Sequence, residues 1–233
     1  MEDPNVAQKL SQVITAVTNL GRSLDEKFIL VGGASLVCLG SERVTSDVDL
    51  LFPSESIPRL AVLATQSQAS DVTFREGVVY SKGGETEFSV DILKTVIDGK
   101  TYEDLEPFTV TIFNVIKTLD FPIALGIKIR CWYLRSDSPA GAAKQDSDLS
   151  DIIFICERMK KEGKVVDDVV AGAVPIGCYN MLLVKDCLKV TGHLTLFLSV
   201  GGNRFQVSWE EDGDDQREYY MMAMMDEEEA GGQ

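Results

Sequence analysis

Hydrophobic and polar positions alternate with two different periods along the chain, and the period changes near residue 120. Val6, Leu10, Val13, Ile14, Val17 and Leu20 recur every three to four residues, which predicts a helix over 6–22. Asp3 or Asn5 would cap it and Gly21 would end it. Phe28-Ile29-Leu30-Val31 is a short apolar run of the kind found in buried strands. Gly32-Gly33 follows as a turn, and Ala34 to Gly40 suits a short helix. Asp47-Val48-Asp49-Leu50-Leu51-Phe52 alternates as a second strand. Ser56 to Gln66 predicts a helix with Pro58 in its first turn. Val72 to Phe74, Val78 to Tyr80 and Glu87 to Leu93 read as strands, the last two joined at Gly83-Gly84. Phe108 to Phe113 alternates and closes the sheet.

From Asp120 the pattern becomes helical. Helices are expected over 121–134, capped by Asp120, over 146–161, over 165–171 and over 179–190. His193 to Val200 leans towards a strand. The expected class is therefore α/β, a mixed sheet with a helical C-terminal part. The division is a core over 1–115, a helical part over 116–209 packing on it, and a tail over 210–233.

Charge sets the tail apart. The 233-residue chain carries a net charge of −15. Ten acids and one arginine from Glu210 onward give the tail −9 and leave −6 for the rest. Such a tail cannot bury enough apolar surface to order itself. The run Tyr219-Tyr220-Met221-Met222-Ala223-Met224-Met225 within it suits docking on the body or on a protein partner. An acidic body argues against strong non-specific binding to nucleic acid, which requires cations against phosphates. The five cysteines, 38, 131, 156, 178 and 187, have no metal-ligand spacing and suit reduced, buried thiols in the cytosol. No apolar run reaches the roughly 20 residues of a membrane span. MEDPNVAQKL lacks the plan of a secretion signal, so a cytoplasmic location is expected.

The candidate chemistry lies in the strands. Side chains two apart on a strand share a face, so Asp47 and Asp49 point together. Paired carboxylates repel unless a hard divalent cation neutralises them. Asp91, flanked by Val90 and Ile92, would complete a trio if its strand lies alongside; Glu87 has the same parity. Two ions on such a cluster would clamp a phosphate and stabilise both attacking and leaving oxygens. A dinucleotide-binding turn at Gly32-Gly33 would need G-x-G-x-x-G, and the third glycine is missing. His193, the only histidine, follows Thr191-Gly192 as a turn residue, so a histidine-based zinc site or triad would depend on it alone. Lys128 falls on an apolar helix, where an ammonium needs a partner or a cleft; Trp132 and Arg135 share its face.

Gly32-Gly33, thirteen intervening residues and Asp47-Val48-Asp49-Leu50 resemble the signature of the DNA polymerase β-like nucleotidyltransferase superfamily. GGASL with Arg43, Thr45 and DVDLL is most similar to the bacterial AbiEii toxin type and related small nucleotidyltransferases. The resemblance covers roughly Phe28 to Ile155. It implies a Mg²⁺-dependent enzyme, with two ions, that moves a nucleotide from an NTP to an acceptor: RNA, protein or small molecule. Asp47, Asp49 and Asp91 would be catalytic and metal-binding. Gly32, Gly33 and Ser35 would receive the phosphates, while Arg43 and Thr45 would orient the loop or touch the nucleotide. Lys144 with Asp148 and Asp151 resembles a K-x-x-x-D-x-x-D segment of that family. Lys128 would then contact the triphosphate, Lys144 would sit at the rim, and Asp148 or Asp151 would anchor the basic residues. Ala34 departs from the usual Gly-Ser. That departure leaves the alternative of an inactive nucleotidyltransferase-fold binding or interaction module.

Overall fold

In a computed structural model the described residues are 4–24, 26–58, 71–76, 78–136 and 138–207. The predicted helix over 56–66 lies outside them from residue 59 on, and so does the acidic tail with its Tyr-Met run. The chain divides into two compact units, Met1–Asp120 and Phe121–Gln233. No helix among the described residues is long and apolar enough to cross a membrane.

The first unit is built on a mixed sheet. Its strands are β1 (Ile29–Val31), β2 (Asp47–Leu51), β3 (Val72–Arg75), β4 (Val78–Gly83), β5 (Thr86–Leu93), β6 (Thr109–Ile112) and β7 (Ile116–Leu119). They lie in the order β3-β4-β5-β2-β1-β7-β6. The central pair β2–β5 is parallel, β1–β7 is also parallel, and the other neighbours are antiparallel.

Alternation decides which side of the sheet is dry. Leu30, Val48, Leu50, Val79, Phe88 and Val90 share one face and are buried. Two helices, α1 (Pro4–Leu24) and α2 (Gly32–Cys38), supply Val13, Ala16, Val17, Leu20, Ala34 and Val37 to the same core. Helix α1 outruns its expected length: it starts at Pro4, which makes Asn5 helical rather than a cap, and it runs through Gly21 to Leu24. Glycine in a helix costs only about 1 kcal/mol, and the packed Leu20 face outweighs that. Gly32-Gly33 forms the first turn of α2 rather than a separate loop.

Strand β7 is absent from the sequence reading. A hairpin of Phe113, Asn114 and Val115 joins it to β6, with φ of 49° at Phe113 and 60° at Asn114. A turn without glycine or proline carries little signal, although asparagine tolerates that conformation. Because β7 belongs to the sheet, the first unit ends at Asp120, five residues beyond the expected boundary. The short helix α3 (Tyr102–Leu105), closed by a Thr101–Asp104 capping box, is also missing from the sequence reading.

The second unit is helical: α4 (Phe121–Tyr133), α5 (Pro139–Glu162), α6 (Asp168–Ala173), α7 (Cys178–Val190) and α8 (Leu194–Ser199). Helix α5 begins seven residues before its expected start. Ser138 caps it by accepting a hydrogen bond from the Gly141 amide at 3.1 Å, with Pro139 in the first turn. Asp146 and Ser147 are therefore mid-helix. Gly163, at φ 68°, ends it in the left-handed conformation. Residues 194–199 form a helix, not the expected strand. Phe197 alone of that helix is buried, and six residues are too few for either period to show. All five cysteines are free thiols. Burial pushes Cys38 up to about 12, and burial with nearby Glu157 pushes Cys156 to about 12.

Candidate active site

Four segments of the first unit bring the candidate side chains together. Strands β2 and β5 run parallel with Asp49 directly opposite Asp91 and Asp47 opposite Ser89. Adjacent strands lie about 4.8 Å apart, so Asp47, Asp49 and Asp91 stand on one face within a strand spacing or two. It is the face opposite the core: Asp47 and Asp91 are exposed, and Asp49 is half-buried. Glu87 shares that face, but it is ion-paired with Arg75 on β3. The register thus separates the two acids that strand parity alone left open: Asp91, not Glu87, faces Asp49.

The glycine pair borders this face. Val31 pairs with Asp49, so β1 delivers Gly32 beside that carboxylate. A Cβ at Gly32 would stand 1.9 Å from Asp49 Oδ2, and φ there is 66°. Only glycine combines that backbone with that approach. A Cβ at Gly33 would stand 2.9 Å from Arg43 Cζ and 3.0 Å from Thr45 Oγ1. Thr45 also donates a 2.7 Å hydrogen bond to Asp47 Oδ1. Arg43, Thr45, Asp47 and Asp49 therefore gather over the bare backbone of Gly32-Gly33, although the loop from Gly40 to Ser46 has no regular structure.

Ser35 takes a different place from the expected one. It is buried, and its hydroxyl donates to the Gly32 carbonyl at 2.8 Å, inside the first turn of α2. Its oxygen thus serves the helix rather than facing the carboxylates. Of the residues expected at a phosphate, Gly32 and Gly33 keep their place beside Asp49 and Arg43.

Within the second unit, Lys128, Arg135, Asp148 and Asp151 form one cluster. Lys128 on α4 is buried, and its Nζ lies 2.9 Å from Asp148 Oδ1 and 2.8 Å from Asp151 Oδ2 on α5. Arg135 closes on the other oxygen of Asp148, with Nε at 2.7 Å and Nη2 at 2.6 Å. Burial lowers the Lys128 pKa, but the attraction of Asp151 and Asp148 outweighs it and holds the ammonium above its ordinary value. Asp148 and Asp151 anchor basic residues, as expected, but those residues are Lys128 and Arg135. Lys144 is exposed. Lys128, expected at the triphosphate, is thus held by two carboxylates of α5, and Lys144 takes no part in that cluster. The reason is helical geometry: Asp148 and Asp151 face inward at i, i+3, and Lys144 sits on an outer face.

Sequence reasoning missed one polar cluster. The Arg75 guanidinium carbon lies 4.4 Å from the centre of the Tyr80 ring, and Arg75 is ion-paired with Glu87. Tyr80 lies opposite Ser89, which lies opposite Asp47, so the cluster continues the carboxylate face across β4 and β3. No motif marks it, because only the β3–β4–β5 register joins its members.

Among the described residues no three histidine, cysteine or acidic side chains are drawn close enough to hold a metal ion as they stand. Asp47 is turned to Thr45, and Asp49 lies against Gly32. The donor set is all carboxylate oxygen on one strand-paired face, which fits a hard divalent ion. His193 sits just before α8, apart from any ligand cluster among the described residues. Compared with known proteins, the chain matches no family model and no curated protein.

Proposed function

We propose that the chain is a divalent-metal-dependent nucleotidyltransferase whose catalytic face lies in the first unit. The observation that carries this reading is the convergence of Asp49, Asp91 and Asp47 beside a glycine pair on which Arg43 and Thr45 also close. Carboxylates held beside a glycine backbone suit a divalent cation, and that cation together with Arg43 would neutralise a phosphate there.

Asp47, Asp49 and Asp91 would hold Mg²⁺, which when bound offsets the charge on the transferring phosphoryl group. The remaining roles belong to this chain. The Gly32-Gly33 backbone receives the β- and γ-phosphates beside Asp49, Arg43 and Thr45. Arg43, against Gly33, neutralises charge on the leaving group. Asp91, exposed at the far side of the pair, accepts the proton of the acceptor hydroxyl. The acceptor oxygen bonds to the α-phosphorus while the bond to the β-bridging oxygen breaks, and pyrophosphate leaves with that electron pair. Lys128 is assigned to stability, since two carboxylates already neutralise it.

A second reading, a nucleotidyltransferase-fold binding module without catalysis, draws on Ala34 in the usual serine position and on the inward Ser35 hydroxyl. Heat protection separates the two. A retained enzyme gains about 2.7 kcal/mol at an NTP concentration 100 times its Kd, only with Mg²⁺. No Mg²⁺-dependent protection by any of the four NTPs would favour the binding module.

A further inference from the structure

We propose that the Arg75–Tyr80 pair is a stacking platform for the nucleobase of the acceptor, and that the acceptor is a nucleoside or mononucleotide. The reaction part rests on the nucleotidyltransferase reading above; the binding part does not.

Strand order supplies the direction. The glycine pair, assigned to the leaving pyrophosphate, follows β1 on one side of Asp49. Attacking and leaving oxygens lie on opposite sides of the phosphorus in such a displacement. The acceptor therefore approaches from the other side, over β5, β4 and β3. Tyr80, Arg75 and Glu87 stand on that side. Tyr80 is two strands from Asp47, about 10 Å at the usual strand spacing. A single nucleoside bridges such a gap with its base at one end and a sugar hydroxyl at the other.

The side chains suit a planar ring. Glu87 fixes the guanidinium while it lies over Tyr80. The Arg75 side chain stays 55% exposed, so one broad surface of the stack remains accessible. Arginine planes and tyrosine rings are the surfaces on which proteins stack single bases.

Charge chooses between a monomer and a polymer. Asp47, Asp49, Glu87 and Asp91 share the face with Arg75 and Lys82, and Arg75 is already paired. A polynucleotide requires a run of cations along its backbone, and the described residues of β2 to β5 present none on this face. In the resulting reaction the ribose hydroxyl oxygen bonds to the α-phosphorus, its proton passes to Asp91, and pyrophosphate departs. The product is a phosphodiester-linked dinucleotide.

The test titrates the full chain into 2-aminopurine riboside, whose fluorescence is quenched by stacking, without NTP or metal. Saturable quenching is expected, with AMP competing. Arg75→Gln and Tyr80→Leu should weaken it at least about fivefold, while Tyr80→Phe, which keeps the ring, should stay within about twofold. Equal urea midpoints for Tyr80→Phe and wild type keep the comparison valid if Tyr80→Leu unfolds. Three results overturn the proposal: no quenching, an Arg75→Gln variant that binds like wild type, or stronger competition by oligoadenylate or N-acetyltyrosinamide than by AMP. Arg75-dependent nucleoside binding without Mg²⁺-dependent NTP protection would sink the enzymatic reading and leave the platform. Nucleotide transfer undiminished in Arg75→Gln and Tyr80→Leu would do the reverse.

Discussion

Replacing Lys128 with methionine keeps the aliphatic stem and removes the charge, so it probes the buried network without opening a cavity. In the wild type one ammonium lies between two carboxylates whose side chains are each 3% exposed. Asp148 retains both hydrogen bonds from Arg135 after the substitution, whereas Asp151 loses its ammonium. Breaking a buried ion pair from one side costs about 3–5 kcal/mol. Because Arg135 still offsets Asp148, the loss should fall near the lower end, about 3 kcal/mol at pH 7. Lys128→Met/Asp151→Asn should recover roughly half, since the amide carries no charge. Urea unfolding measures both, with unchanged m confirming the same unfolding reaction. Mg²⁺-dependent NTP affinity should stay within about twofold of wild type. A loss under about 1 kcal/mol, or a large fall in NTP affinity at unchanged stability, would return Lys128 to the phosphate role.

Gly32→Ala should cost about 1–2 kcal/mol from its left-handed backbone, with a further loss from collision with Asp49. Gly84→Ala has the same strain at φ 67° and open space around it, so it isolates the backbone part; equal costs at the two sites would refute the contact. Burial raises the Cys38 and Cys156 pKa values to about 12 from an ordinary 9.0, so the unfolded chain releases their protons first. Stability should therefore fall above pH 9, by up to about 2.7 kcal/mol per pH unit for the two thiols together. Lys128, raised in the folded state, adds its own loss only above about pH 10.5. Urea midpoints between pH 9.5 and 10.5 should show most of this slope vanish in Cys38→Ala/Cys156→Ala.

The carboxylate face was largely legible because strand alternation is a local property. Val48 and Leu50 inward force Asp47 and Asp49 outward, and the same rule places Asp91. Register is not local, and it decided the rest. It set Asp91 rather than Glu87 against Asp49, and it assembled Arg75 with Tyr80 across β3 and β4. Strand β7 was hidden by a turn without glycine or proline. The start of α5 was hidden by the small residues 139–143, which lack an apolar face of their own. Lys128 needed a partner on any reading of its apolar helix. Which carboxylates lie beside it depended on the face that α5 turns inward, a matter of packing that the local pattern does not mark.

The nucleotidyltransferase reading is tested most directly by following the label of an NTP. Wild-type protein, Mg²⁺ and total cell extract are incubated with each NTP labelled at the α- or the γ-phosphorus. The α-label should enter an acceptor and the γ-label should leave as pyrophosphate. Asp49→Asn should abolish transfer while its urea midpoint is unchanged or raised, since the substitution relieves repulsion between Asp49 and Asp91. Transfer of the γ-label, or full α-label transfer by Asp49→Asn, would contradict the assignment of this face.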